Sequence, residues 1–236
     1  MSRDTPTRYT KGVGTAVKNT ALGEFGLPAP TRYHMYFNDF DTFAAGDWTI
    51  TTTEAGAGSA TEAVTDKDGG ALLLTNAAGD NDLDNLQLAG ESFAMAAGKQ
   101  AWFSARFQVS DATQSDIFMG LIIKTATDPV GTAPTDGIFF RKDDGDTNVD
   151  FVVTKDSTAT TASAVTTMSD ATDIELAFHY DGVDTITYFV DDVRTGTSVT
   201  TNLPDDEVLS VMMHIQNGEA AAKTMTVDWI MAAKER

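Results

Sequence analysis

The 35 acidic side chains of this sequence are a large set of groups that could do chemistry. Glycoside hydrolysis needs two carboxyl groups a few ångströms apart, one as acid and one as nucleophile or base. A strand supplies them as E-x-D-x-E, because alternate side chains share one face. Such a run is missing after each of Glu54, Glu62, Glu91, Glu175, Glu207 and Glu219. We therefore predict that the chain is not a glycosidase of this type, and not an enzyme.

The other reactive residue types are isolated from one another. His34, His179 and His214 lack the H-x-H or H-x-x-x-H spacing of a local metal site, which favours packed or hydrogen-bonded imidazoles. A metal site assembled across strands is the alternative. The sequence has no cysteine, no G-x-S-x-G elbow and no complete dinucleotide-binding fingerprint. We expect no cofactor.

One group of oxygen ligands around the stretch DDGDTN could suit Ca²⁺. It consists of Asp144, Asp146, Asn148 and Asp150. The sixth-position glycine and the terminal glutamate of an EF-hand loop are missing. We therefore predict a solvated hairpin without a metal and keep calcium as the weaker alternative. The same reasoning applies to Asp80, Asp82 and Asp84.

A tryptophan on an outward face would indicate carbohydrate binding, because sugar rings pack on aromatic rings. The three candidates are Trp48, Trp102 and Trp229. Trp229 falls on the apolar stripe of its segment, and we predict that it lies in the core. Trp102 precedes Phe103 and so faces the opposite way. It is the candidate glycan-binding residue, with packing against a second layer as the alternative.

Period-two alternation predicts the elements that must position these groups. The stretches AWFSARFQV, DIELAFHY and TMTVDWIM place apolar residues at every second position, as strands with one buried face do. Six further strand candidates are WTITTT, GALLLTN, IFMGLIIK, GIFFRK, VDFVVTK and VLSVMMHI. The turns DDGDTN and YDGVDT would close hairpins, and Thr158 to Thr167 could form an edge strand. We predict an all-β fold, a two-sheet antiparallel jelly-roll sandwich.

Residues 1–32 are predicted to form an extended N-terminal arm, and residues 33–236 the sandwich. Ordering such an arm costs about 1–2 kcal/mol per residue, which its scattered apolar side chains cannot offset alone. A disordered terminus is one possibility, but the composition favours docking of the arm onto a neighbouring subunit. The residues that would make this contact are Arg3, Arg8, Lys11, Val13, Val17, Lys18, Leu22 and Phe25.

The charge is divided unevenly between these two parts. Five basic and two acidic residues give the arm a net charge of +3. Because the net charge of the whole chain is −19, the sandwich carries −22. A body this acidic repels phosphates, and we predict no nucleic-acid binding. The apolar runs are far shorter than the roughly 20 residues of a membrane helix, and the start lacks a secretory pattern. We expect a soluble protein with no membrane partner.

The order of strands resembles the concanavalin A-like, laminin-G-like jelly roll. The segments that carry this resemblance are FNDF, FSARFQV, AFHYDGVDTITYFVDD and TVDWIMAAKER. The arm and opening, from TKGV through LGEFGLP to PTRYHMYFNDFDTF, are further similar to capsid-associated proteins of tailed bacteriophages.

The phage resemblance implies a capsid decoration, or cement, protein on the outside of the virion, made in the host cytoplasm. Its partner would be the major capsid protein, and a homo-oligomer, with a trimer favoured, would clamp neighbouring subunits through the arm. The alternative function is a carbohydrate-binding, lectin-like module on a virion or cell surface, with Trp102 in its site. Glycoside hydrolase or lyase activity is the least favoured prediction.

Overall fold

The computed structural model describes residues 32–125 and 127–236, which fold into two antiparallel sheets packed face to face. Sheet 1 contains β1 (Tyr33–Asn38), β3 (Thr61–Val64), β4 (Leu72–Thr75), β7 (Ala101–Val109), β12 (Ile174–Tyr180), β13 (Thr185–Val190), β14 (Val193–Val199) and β16 (Thr224–Glu235). Sheet 2 contains β2 (Trp48–Thr53), β5 (Leu83–Leu88), β6 (Phe93–Ala94), β8 (Ser115–Ile123), β9 (Gly137–Lys142), β10 (Asn148–Lys155), β11 (Thr158–Thr167) and β15 (Val208–Asn217). The predicted all-β sandwich is confirmed.

The strand order differs from the chain order in both sheets. Sheet 1 runs β14-β13-β12-β7-β16-β4-β3, and β1 pairs with the C-terminal half of β16. Sheet 2 runs β11-β10-β9-β8-β15-β5-β2, and β6 pairs with the start of β15. A single 3-10 turn, Ala45–Asp47, is the helical element of the described chain. None of the helical structure described in residues 32–125 and 127–236 is long and apolar enough to cross a membrane.

The core lies between the sheets and uses the predicted inward faces. The inward residues of β7 and β12 are Ala101, Phe103, Ala105, Phe107 and Val109, and Ile174, Leu176, Phe178 and Tyr180. The ring of Phe103 stacks on that of Phe178 at 5.5 Å between centroids. Phe151 of sheet 2 contacts the same Phe178 ring at 5.8 Å, so aromatic contacts join the two layers.

The two predicted hairpins and the predicted edge strand are present. The DDGDTN turn joins β9 to β10, and the turn after Tyr180 joins β12 to β13. Gly145 and Gly182 in these turns have φ of 85° and 81°, a left-handed conformation that glycine adopts without a Cβ penalty. Strand β11 forms one edge of sheet 2.

A β-bulge in β16 reverses the predicted orientation of Trp229. At Asp228 this strand has one residue more than its partner β7, so the side-chain alternation changes phase there. The residues that face the core are Met225 and Val227 before the bulge, and Ile230 and Ala232 after it. Trp229 is half-buried on the outer face of sheet 1, and the prediction that it lies in the core is wrong.

The outer face of sheet 2 also carries buried apolar side chains, whereas the outer face of many antiparallel sheets is exposed to water. Side chains from four adjacent strands form a second buried cluster there: Phe118, Ile122, Phe139, Val152 and Met212. Residues 129–134, in the connection from β8 to β9, lie beside this cluster and enclose a groove with it. This groove is one concavity of sheet 2 within the described residues.

Candidate functional site

The groove on the outer face of sheet 2 has about 150 Å³ of free volume, the space of about five water molecules. Its apolar floor is formed by Phe118, Phe139 and Val152, and one wall by Pro129, Val130 and Pro134. Its polar lining consists of Arg141, Asp143, Thr154, Ser157 and Thr161. An apolar surface beside a few hydroxyl and charged groups is the usual composition of a small-molecule site.

Strand alternation explains how the charged end of the groove is built. Arg141 lies two residues after Phe139 on β9, so both side chains face outward. The Arg141 Nε lies 3.1 Å from Asp143 Oδ1, and a terminal nitrogen lies 3.8 Å from Asp150 Oδ2. Burial raises the pKa of Asp143, although the nearby guanidinium acts against that rise. The two carboxylates hold Arg141 at the groove with 34% of its side chain exposed.

A row of buried polar side chains continues across the same face, behind Phe118. His214 of β15 is fully buried, opposite Asn85 of β5, and packs edge-on against the Phe118 ring at 5.7 Å. Within the described residues neither nitrogen of His214 and neither amide atom of Asn85 has a hydrogen-bond partner. Burial lowers the pKa of His214 to about 4, so its imidazole is neutral at physiological pH.

One carboxyl group on this face titrates near neutrality. Asp116 of β8 accepts a hydrogen bond from the Asp144 backbone N–H at 2.8 Å. Burial raises the pKa of Asp116 to about 6, outweighing that hydrogen bond. A carboxyl group with such a pKa can exchange protons near pH 6–7.

Trp102, the predicted glycan-binding residue, does face outward from sheet 1, but it is covered. Its ring lies between Tyr33, at 5.4 Å, and His179, at 5.3 Å, and is 3% exposed. A sugar could stack on it only after Tyr33 moved. The assignment of Trp102 stays a prediction, and the structure places it far from the groove, on the other sheet.

The weak calcium candidates Asp144, Asp146, Asn148 and Asp150 lie in or beside the β9–β10 hairpin. Asp146 accepts a hydrogen bond from the Asn148 backbone N–H, and Asp150 accepts one from Ala164 N–H. Within residues 32–125 and 127–236 no group of three or more acidic or histidine side chains converges as a metal would require. Asp146 and Asp150 thereby organise the local backbone.

The second aspartate series is split into three environments. Asp80 is exposed. Asp82 is buried and accepts hydrogen bonds from the backbone N–H groups of Ala55, Gly56 and Gly79 at 2.5, 2.9 and 2.7 Å. Burial alone would raise the pKa of Asp82, but these three donors lower it. Asp82 therefore fastens the β2–β3 connection to the β4–β5 connection.

Asp84 is on β5 with its side chain directed between the two sheets. It is fully buried, and among the described residues neither of its oxygens has a close hydrogen-bond partner. Burial, followed by the negative charges of Glu62 and Glu54, raises the pKa of Asp84 to about 8. This carboxyl group is largely protonated at neutral pH.

The predicted arm contacts lie outside the described residues, so the structure does not place them. These are Arg3, Arg8, Lys11, Val13, Val17, Lys18, Leu22 and Phe25. The groove residues were not predicted. A signal for them exists in IFMGLIIK and GIFFRK, whose apolar residues occupy both faces, because such runs indicate that the outer face is also covered.

Comparisons with known proteins identify the fold. No protein-family model and no curated protein matches the sequence. An endo-1,3-beta-glucanase from Streptomyces sioyaensis is 14% identical, with a TM-score of 0.60 over 89% of this chain and 99% of that chain. An endo-beta-1,4-glucuronan lyase from Trichoderma reesei is 12% identical (TM-score 0.55; 85% and 95% covered), and the Emp46p carbohydrate recognition domain is 9% identical (TM-score 0.53; 83% and 93% covered). The chain has the jelly-roll fold of these proteins.

The prediction that the chain is not an enzyme is contradicted by these comparisons. A glucanase and a lyase share the fold, so a missing E-x-D-x-E run does not exclude catalysis on this sandwich. The neighbours also include a carbohydrate recognition domain, and none of the three named above is a capsid protein. The virion location, the major capsid protein as partner and the trimer stay predictions that no observation tests.

Proposed function

We propose that this chain binds carbohydrate in the groove on the outer face of sheet 2. The observation that carries the proposal is the composition of the groove. The exposed apolar residues of the groove are Val130, Ala133 and Ala159. Its floor of Phe118, Phe139 and Val152 is only 2–3% exposed, and Arg141 and the Thr and Ser hydroxyls line its sides. A pyranose ring needs both kinds of contact, because its C–H groups are apolar and its hydroxyls must be hydrogen-bonded when they leave water.

The electrostatics favour a neutral sugar over an acidic one. The part of the chain after Arg32 carries a net charge of −22, which repels a polyuronate. Arg141 does not reverse this, since Asp143 and Asp150 already balance its charge. We therefore expect neutral glucan oligosaccharides to bind more tightly than glucuronan oligosaccharides at low ionic strength.

Titration calorimetry with neutral β-glucan and glucuronan oligosaccharides tests this prediction. Arg141→Met keeps the aliphatic stem but removes the donors, and should weaken binding about tenfold or more, because a hydrogen bond to a charged group contributes about 1.5–3 kcal/mol. Thr161→Val should weaken it less.

The matched control is Arg106→Met. Arg106 is also ion-paired with two aspartates, Asp173 and Asp228, but it lies on the outer face of sheet 1. Equal losses in both variants, or no binding by the full chain, would refute the groove assignment. The same mixtures are assayed for new reducing ends and unsaturated products, so that cleavage is measured separately from binding.

A further inference from the structure

An exposed apolar surface on sheet 1 lies directly beside the point where the N-terminal arm enters the sandwich. It consists of Met35 and Phe37 on β1 and Trp229 and Met231 on β16, and is called the β1 patch below. Met35 is 46% and Phe37 is 55% exposed, while the other two are half-buried. Phe37 pairs with Met231 in the sheet, so these side chains form one continuous surface.

The β-bulge is what creates this surface. Without the extra residue Asp228, the phase of β16 would direct Trp229 and Met231 into the core. The bulge turns both outward, next to an edge strand that pairs with β16 alone among the described residues. Large apolar side chains in this arrangement, beside a free strand edge, are typical of a surface that is covered in the working protein.

The surroundings of the β1 patch are acidic. Asp39 and Asp41 follow β1, and Asp228 lies beside Trp229 in β16. Burial, with the charges of Asp41 and Asp228, raises the pKa of Asp39. Lys67 and Arg106 pair with Asp228, but in the described chain no cation pairs with Asp39 or Asp41. A basic partner would be favoured here.

We propose that residues 1–31 of the chain itself cover the β1 patch. This segment ends immediately before β1, so it reaches the patch with the high effective concentration of a tethered ligand. It carries the complementary chemistry, with Val13, Val17, Leu22 and Phe25 for the apolar surface and Arg3, Arg8, Lys11 and Lys18 for the carboxylates. The arm thereby obtains from its own sandwich the burial that it cannot supply alone.

Trp229 is a built-in reporter of this contact. The other two tryptophans, Trp48 and Trp102, are 6% and 3% exposed, so quenching by acrylamide reports mainly on Trp229. Removing residues 2–31 should increase this quenching and shift the emission to longer wavelength. In the full chain, Phe25→Ser combined with Leu22→Ser should have the same effect.

Trypsin supplies a second readout. Burying one Phe or Leu side chain contributes about 1.5–3 kcal/mol, so the double serine variant should be cleaved after Lys18 at least about tenfold faster than the full chain. Phe37→Ser should accelerate the same cleavage from the opposite side of the contact. The control is Val183→Ser, at an apolar residue that is 73% exposed in the β12–β13 turn, which should change neither readout.

Each outcome decides the proposal. Equal quenching and equal cleavage in the full chain and its arm variants would overturn it, because the β1 patch would then be open. Protection that increases with protein concentration would also overturn it, because the patch would then be covered by another copy. Protection that is independent of concentration and lost on Phe37→Ser supports docking in cis.

Discussion

Asp84→Asn is expected to stabilise the protein at neutral and alkaline pH. The carboxyl group of Asp84 is fully buried between the sheets, and burial with the nearby Glu62 and Glu54 charges raises its pKa to about 8. The unfolded chain ionises the same group near 3.8. Folding at pH 7 must therefore either keep a proton on Asp84 or bury its charge, and asparagine removes both requirements.

The sign of the pH dependence follows from linkage. The pKa is higher in the folded state, so the contribution of this group is fully present below about pH 4 and is lost as the pH rises towards 8. Asp84→Asn should therefore match the parent near pH 4 and exceed its free energy of unfolding by several kcal/mol at pH 8, because each pKa unit corresponds to about 1.4 kcal/mol. Urea unfolding from pH 4 to 9 measures the difference. Parallel curves for the two proteins would show that Asp84 ionises normally.

Asp82→Asn should have the opposite effect, although it lies only two residues away. Asp82 Oδ2 accepts hydrogen bonds from both Gly56 N–H and Gly79 N–H, and Oδ1 accepts one from Ala55 N–H. An amide has one acceptor oxygen, so at least one of these three part-buried donors would face its NH₂ group. We expect a loss of about 1–3 kcal/mol at pH 7. Because donors lower the pKa of Asp82, its contribution is present above about pH 4 and declines as the pH falls through the folded-state pKa.

The two connections cannot compensate for this loss by rearranging. A Cβ added at Gly56 would lie 2.0 Å from Gly79 N, so the backbones already touch at the point that Asp82 fastens. Amide hydrogen exchange of Gly56 and Gly79 should accelerate together in Asp82→Asn. Asp80→Asn, at the exposed first member of the series, is the control for both experiments and should leave stability unchanged. Equal stability changes in Asp80→Asn, Asp82→Asn and Asp84→Asn would contradict the assignment of three different environments to these aspartates.

The sequence predicts the sandwich well because period-two alternation is a local signal. Strands β2 and β9 are found where WTITTT and GIFFRK predict them, and β7 spans the whole of AWFSARFQV. Strand β5 was missed because its Asp, Asn and Gln side chains suggest a loop, while in the structure all six of its residues are buried. Their burial depends on neighbouring strands that are distant in sequence, which local patterns do not report.

The groove was harder to predict than the fold, for a related reason. Phe118, Arg141 and Thr161 come from three different strands, and only the sheet order brings them together. The alternation of side chains along β7 predicts that Trp102 faces outward, and it does. What alternation could not reveal is the Tyr33 ring that covers it. Side-chain direction is therefore predictable from the sequence, whereas accessibility depends on tertiary contacts.

The extra residue in β16 divides the strand into two segments. Odd-numbered side chains face the core in the first segment, and even-numbered side chains begin to do so after the bulge. A substitution scan along β16 would find that polar residues are rejected at Met225 and Val227 before the bulge, and at Ile230 and Ala232 after it. Deleting one residue at the bulge would move every following side chain of β16, up to Glu235, to the opposite face of the sheet. Insertions and deletions at this point would therefore be tolerated only in pairs.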